Sequence, residues 1–230
     1  MAQDWSRSVK FAKQEILLRA AREEFADLGL EGATMRGIAL RAGCSTGAIY
    51  PLFESKEAIY ADLLEHSLSA LDAHVAEAVQ SAQGAEAQVA AGCEAFLGYY
   101  LENRFEVNLG LYAFRGVKRQ GVGKTLDDAL NRALAQVLER IAQPFGRMQG
   151  RDAADVRPWV ALLFSQMIGA LVLQMAGRLK VLDTDARTLL GMMLGQVNVA
   201  SSSPRDVRPR AEAGKSSLKS KHQKQKGDVR

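Results

Sequence analysis

Between Thr34 and Lys56 the chain reads TMRGIALRAGCSTGAIYPLFESK, two short helix-forming runs joined at a glycine, and this spacing constrains the fold more than any other feature. Thr34 can cap a first helix whose Ile38, Ala39 and Ala42 share one face. Gly43 follows as the residue able to take the left-handed conformation that ends a helix, and Gly-Cys-Ser forms the turn. Ser45 can cap a second helix from Thr46 to about Tyr50, which Pro51 limits because proline removes a backbone donor and disfavours helical geometry at the residue before it. The outward residues Thr46, Gly47, Ala48 and Tyr50 are small or hydrogen-bonding, whereas Ile49 and Phe53 turn back to a core. Upstream, Ile16, Leu17, Ala20, Ala21, Phe25 and Leu28 make a helical apolar stripe that Gly29 ends. A three-helix unit is then complete by about residue 53, the size of a homeodomain-like module whose last helix enters the DNA major groove.

The run from Ile16 to Leu64, containing AAREEFADLG, IALRAG and STGAIYPLFESKEAIY, resembles the N-terminal domain of the TetR (tetracycline-repressor) family of one-component regulators. The resemblance covers roughly the first 65 residues, and Gly43, Tyr50, Phe53 and Ser55-Lys56 sit in its register. Pro51 and Ala48 depart from it. It implies a homodimer in which the last two helices of each subunit build a four-helix bundle across a two-fold axis, and a helical body holding an effector pocket.

Charge is unevenly placed. Residues 1–66 hold eight Lys/Arg against ten Asp/Glu, and residues 201–230 hold nine against three, so the tail accounts for the basic balance. A groove-reading unit that is not generally basic must contact phosphates through a few placed groups, here Arg36, Arg41, Lys56 and helix N-termini. The DNA-contact set predicted from the sequence is Thr34, Arg36, Ser45, Thr46, Gly47, Ala48, Tyr50, Pro51 and Lys56.

After the reader, helical spacing predicts a long helix from Lys56 to about Val79. Further helices are expected at about Ala85–Glu102, Val107–Lys118, Thr125–Gln143, Asp152–Arg178 and Thr184–Ala200. No strand alternation appears. The expected fold is all-α, with a helix-turn-helix DNA-binding domain at 1–54, a larger effector-binding and dimerisation domain at 55–200, and a basic disordered tail at 201–230. The stretch VALLFSQMIGALVLQMAG, 160–177, is apolar enough to raise a membrane-spanning reading. Ser165, Gln166 and Gln174 oppose that reading, and Gly169, Ala170, Ala176 and Gly177 suit close packing of helices or a dimer seam. No membrane is expected, and the N-terminus has no signal-peptide pattern, which points to a cytoplasmic protein.

No catalytic or metal constellation stands out. His66 and His74 stand eight residues apart without acid partners, and two cysteines, Cys44 and Cys93, are too few for a disulfide scaffold. Gly121-Val-Gly123-Lys124-Thr125 lacks the first glycine of a phosphate loop and reads as a helix start. The expectation is no enzyme, no cofactor and no metal. One concentration of aromatics, Phe96, Tyr99, Tyr100, Phe105, Tyr112 and Phe114, stands near Arg104 and Arg115 and precedes Trp159, Phe164 and Gln166. From it the effector site is predicted at Phe96, Tyr100, Arg104, Tyr112, Arg115, Trp159, Phe164 and Gln166, for an apolar or aromatic small molecule. The function these features support is a transcriptional regulator, a repressor released from a double-stranded DNA operator by that effector. The alternative is a helical ligand-binding or enzymatic protein whose N-terminal unit makes protein contacts.

Overall fold

The computed structural model describes residues 2–110 and 122–201, and every regular element among them is helical. The order is α1 (Ala2–Gly32), α2 (Met35–Arg41), α3 (Thr46–Ile49), α4 (Lys56–Ser81), α5 (Ala85–Glu102), α6 (Arg104–Gly110), α7 (Lys124–Gln149), α8 (Arg157–Met175) and α9 (Ala186–Ser201), with a 3-10 turn at Leu179–Leu182. The tail beyond residue 201 and the segment 111–121 lie outside the described residues.

The reader forms as its caps require. Thr34 takes an extended conformation and its hydroxyl accepts from the Gly37 amide at 2.9 Å, while Gly43 turns the chain at φ 66. Gly29 kinks α1 (φ 68, ψ 177), and one further turn continues to Gly32. The buried stripe of α1 is narrower than expected: Leu17, Leu18, Ala20, Ala21 and Phe25 are buried, but Ile16 and Leu28 are exposed. Both fall at the stripe's margins, beside the exposed Glu15 and Asp27. Phe25 meets the ring of Tyr60 edge-on at 5.0 Å and joins the reader's core to α4.

Ser55 caps α4, its hydroxyl accepting from the Ala58 amide at 3.1 Å. The buried face of α4, with Ile59, Leu64, Leu68, Leu71 and Val75, then packs against α5 and α7. Asp72 of α4 holds Arg140 of α7 through two hydrogen bonds, of 3.0 and 2.9 Å.

Several helix limits differ from the sequence expectation, among them the end of α8, which stops at Met175 rather than Arg178. Helix α7 does not end at Gln143 but runs through Pro144 to Gln149, because Ile141, Ala142 and Phe145 are buried across that turn and outweigh the hydrogen bond proline removes. Helix α8 starts at Arg157, five residues later than expected, after turns at residues 153–156. Helix α6 begins at Arg104 rather than Val107.

By length and composition alone α8 could cross a membrane. In the fold it packs on α5, α7 and α9 through Val160, Leu163, Met167, Ala170 and Leu171, and leaves Leu162, Val172 and Leu173 exposed. Asp185 starts α9, its carboxylate accepting from the Thr188 amide at 2.8 Å, which holds that carboxyl below its usual range.

Candidate nucleic-acid interface and body cavity

Helix α3 is a single turn, Thr46–Ile49, with Tyr50 as its C-cap. Ile49 is fully buried and Phe53 nearly so, which anchors the inner side of the turn in the reader's core. Ser45, Gly47, Ala48, Tyr50 and Pro51 are exposed and Thr46 is half-buried. Tyr50 exposes 57% of its surface, a large fraction for an aromatic on a folded module. Ser45 stands at the N-cap position in extended conformation, but its side chain makes no capping hydrogen bond. Thr34 and Arg36, at the start of α2, are also exposed, so eight of the nine residues of the predicted contact set are solvent-facing or partly so around two helix starts.

The ninth, Lys56, is half-buried and already engaged. Its ammonium donates to the carbonyls of Ala33 at 2.9 Å and Glu31 at 3.1 Å, tying the end of α1 to the start of α4. One donor of the three is left for another acceptor. Arg41 differs more from expectation. It is held by Glu24 and Asp27 of α1, each at 2.7 Å, and Glu24 is itself buried. These hydrogen bonds push the guanidinium further above its ordinary range. Arg41 therefore locks α2 to α1 and is not a free cation for phosphate.

In the body, α4, α5, α6, α7 and α8 line a partly open cavity of about 110 Å³ among the described residues. Its wall is mostly apolar, from Leu64, Leu68, Phe96, Val107, Leu130, Leu134, Phe164, Ile168 and Leu171, with Tyr100 and Asn131 supplying polar groups. Phe96 meets Tyr100 and Phe164 edge-on, at 5.2 and 5.9 Å between centroids. Burial pushes the Tyr100 phenol well above its usual range, and Tyr99 and Glu106 add to the effect.

A second cleft of about 270 Å³ shares Tyr100 and Leu171 with the cavity and is more polar, lined by Arg104, Gln174, Asp185 and Arg187. A third depression, of about 370 Å³, runs between α8 and α9 and is lined by Leu97, Met167, Gly169, Ala170, Leu173, Leu189, Leu190, Met192 and Met193.

Three members of the predicted effector set, Phe96, Tyr100 and Phe164, thus come together on one cavity, and Arg104 stands in the adjoining cleft. Gln166 lines the α8–α9 depression instead. Trp159 is 38% exposed near the start of α8 and lines none of the three hollows. Because α8 is apolar on nearly every side, its spacing does not reveal which residues face inward. Tyr112 and Arg115 lie outside the described residues. Sequence reasoning missed Leu130, Asn131 and Leu134 of α7, although the four-residue spacing of Leu126, Leu130 and Leu134 marks that face.

Comparison with known proteins agrees with this geometry. Residues 17–63 match the sequence model of the family described as bacterial regulatory proteins, tetR family. No curated protein sequence matches the chain. Among solved structures, the fold is similar to the transcriptional regulator FadR from Bacillus subtilis in complex with stearoyl-CoA, with a TM-score of 0.65 at 19% identity over 80% of this chain and 96% of that one. It is also similar to the fatty acid degradation regulator FadR from Bacillus halodurans, with a TM-score of 0.60 at 15% identity over 80% of this chain and 97% of that one. A structure from Shewanella sp. PV-4 described as a tetR-family transcription regulator gives a TM-score of 0.59 at 16% identity, over 79% and 95% of the two chains. The chain therefore carries the N-terminal domain of the tetR family of bacterial regulatory proteins over residues 17–63, joined to a helical body with the fold of these regulators.

Proposed function

We propose that the chain is a cytoplasmic, homodimeric transcriptional repressor whose reader occupies residues 1–54 and whose body, 55–200, binds an effector that releases it from its operator. The observation that carries the reading is the single-turn α3, whose solvent side bears Ser45, Gly47, Ala48, Tyr50 and Pro51 while Ile49 anchors it from behind. In this assignment Thr46, Gly47 and Ala48 face base edges, and Thr34, Arg36, Ser45, Tyr50, Pro51 and the remaining donor of Lys56 meet the DNA backbone. One turn of helix reads too few base pairs to be selective alone, so a second copy is required. The apolar depression between α8 and α9, with Leu173 and Met192 exposed beside it, is the surface we assign to that copy.

The effector is assigned to the cavity bounded by Phe96, Tyr100 and Phe164. An apolar chain suits its wall, and an acidic head suits Arg104 and Arg187 in the adjoining cleft. The similarity to a FadR structure holding stearoyl-CoA supports an amphiphile of this kind. Helix α4 carries the response: Lys56 ties its first turn to the reader, and Leu64 and Leu68 stand on the cavity wall two and three turns later. A coupling of about 1–3 kcal/mol would weaken operator binding roughly 5–150-fold.

The test is selection of DNA from a random duplex pool by the full chain, followed by titration of the enriched duplex with decanoyl-CoA, decanoate and decanol. The reading requires enrichment of a two-fold-symmetric sequence and release by at least one anionic member of the series. No enrichment contradicts the DNA-binding assignment, and enrichment without release contradicts the effector assignment.

A further inference from the structure

Of the eight cations among residues 1–66, three are engaged inside the protein. Arg41 is held by Glu24 and Asp27, and Lys56 donates to the carbonyls of Ala33 and Glu31. Arg22 pairs with Glu106 of α6 at 2.7 Å and lies over the Phe105 ring at 4.6 Å. Arg7, Lys10, Lys13, Arg19 and Arg36 are the five others, and all are exposed. Only Arg36 stands on the helix-turn-helix itself; the other four are on α1. A reader with ten acidic residues that binds a polyanion needs outward cations, and here they are concentrated on its first helix.

Helix α1 also outruns the core. Among the described side chains its first buried residue is Leu17, and across residues 5–13 every side chain is exposed except the half-buried Val9. Trp5 and Phe11 expose 74% and 65% of their surface, so no described residue covers these turns. They precede residue 17, where the family match begins. Arg7, Lys10 and Gln14 are spaced by three and four and share one face, with Lys13 a turn after Lys10 beside them. On that face the Gln14 amide donates to the Asp62 carboxylate at 3.1 Å, in the second turn of α4. The cations are thereby fixed to the end of α4 that adjoins the reader. Residues 2–13 span roughly 18 Å of helix axis, the length of about five base pairs.

We propose that the first turns of α1 are a second DNA-contacting surface, in which Arg7, Lys10 and Lys13 lie on phosphates of the duplex flanking the half-site that α3 reads. This rests on the reading of the chain as a DNA-binding regulator. The contact carries charge and no base-reading group, so it adds affinity without adding sequence preference. It also supplies the phosphate contacts that Arg41 is not free to make.

The test compares the full chain with its Arg7→Gln, Lys10→Gln, Lys13→Gln triple variant on the duplex that the parent enriches from a random pool. Glutamine keeps helix propensity and these side chains touch no core, so thermal unfolding should stay at the parent's value. The slope of log affinity against log salt should fall by roughly 2–3 for each copy bound, while the variant enriches the same sequence. An unchanged slope overturns the proposal, and so does a changed sequence preference, which would put these residues on base edges. A second measurement needs no variant: trimming the flanks of the selected duplex to the two half-sites should weaken parent binding, and restoring about six base pairs of arbitrary sequence at each end should recover it. Indifference to the flanks overturns the contact. Phosphatidylglycerol vesicles that bind the parent but not the variant, with the DNA salt slope the same for both, would assign the surface to a membrane instead. If the parent enriches no duplex, the DNA-binding reading has failed. If it does and the triple variant keeps the parent's slope, the α1 contact alone has failed.

Discussion

The ammonium of Lys56 donates to the carbonyl of Ala33 at 2.9 Å, so the first turn of α4 and the corner between α1 and α2 are held by one side chain. The carbonyls it meets are neutral, so the field this side chain presents outward adds to that of the α4 N-terminus. Lys56→Ala is expected to lower stability by about 1–2 kcal/mol, a partly exposed charged hydrogen bond, as read by urea unfolding. It should also weaken binding to all duplexes and lower the salt slope by about one. A variant with parent stability and parent slope removes Lys56 from both roles.

Gly47 separates reading from folding. A Cβ built there meets only the Ser45 hydroxyl, at 3.8 Å, so a larger residue fits the free protein. Gly47→Leu should therefore keep the parent's thermal unfolding and lose specific DNA binding, because the added side chain occupies the space where a groove edge approaches. Retained selectivity in competition against random duplex would displace the recognition role from α3.

Gly169 does the same for dimerisation. It lines the α8–α9 depression, and a Cβ there has nothing within 4 Å. Gly169→Arg is predicted to leave helicity unchanged while sedimentation shifts to the monomer and operator affinity is lost. A variant that still sediments as a dimer would place the seam on another face.

Phe96 is fully buried on the cavity wall. Phe96→Ala should cost about 3–5 kcal/mol and enlarge the cavity. Benzene at saturating concentration should restore part of that loss in a thermal-shift measurement, and no restoration would mean that the wall collapses rather than opens.

Alkaline pH should destabilise the protein through two buried acids, Cys93 and Tyr100, and the half-buried Tyr99. Burial pushes the Cys93 thiol up to about 12, and the Tyr99 and Tyr100 phenols are also raised, chiefly by burial. The unfolded chain loses these protons near 9.0 and 10.0 while the folded chain retains them. Stability is therefore fully present below pH 9.0 and declines as pH rises through that range. Cys93→Ala should lower stability at neutral pH by removing buried volume and should flatten the first part of the alkaline decline. A decline of the same slope in the variant would assign it to other groups.

What was legible in the sequence follows a physical division. Thr34, Gly43 and the Ala85–Glu102 helix depend on neighbours a few residues away, and all three form as their local chemistry requires. Arg41 was misread because its partners, Glu24 and Asp27, lie 17 and 14 residues earlier on another helix, and only packing brings them together. Pro144 looked like a helix end because its local cost is visible in sequence, while the burial of Phe145 that offsets it is not. The effector set was mixed for the same reason. Phe96 and Tyr100 lie four apart on one face of α5, but in α8 Phe164 faces the cavity, Gln166 the α8–α9 depression and Trp159 neither, and no period in a helix apolar on nearly every side distinguishes them. The Arg22–Glu106 pair joins residues 84 apart and had no signal in the sequence.

The central claim is that two copies of α3 read a two-fold-symmetric site. Hydroxyl-radical footprinting of the full chain on its selected duplex tests this most directly. The account predicts two equivalent protected patches related by a two-fold axis, with half-site centres one helical turn, roughly 34–36 Å, or somewhat more apart. Both patches should vanish together in Gly47→Leu. A single asymmetric patch, or a footprint that Gly47→Leu leaves in place, would contradict it.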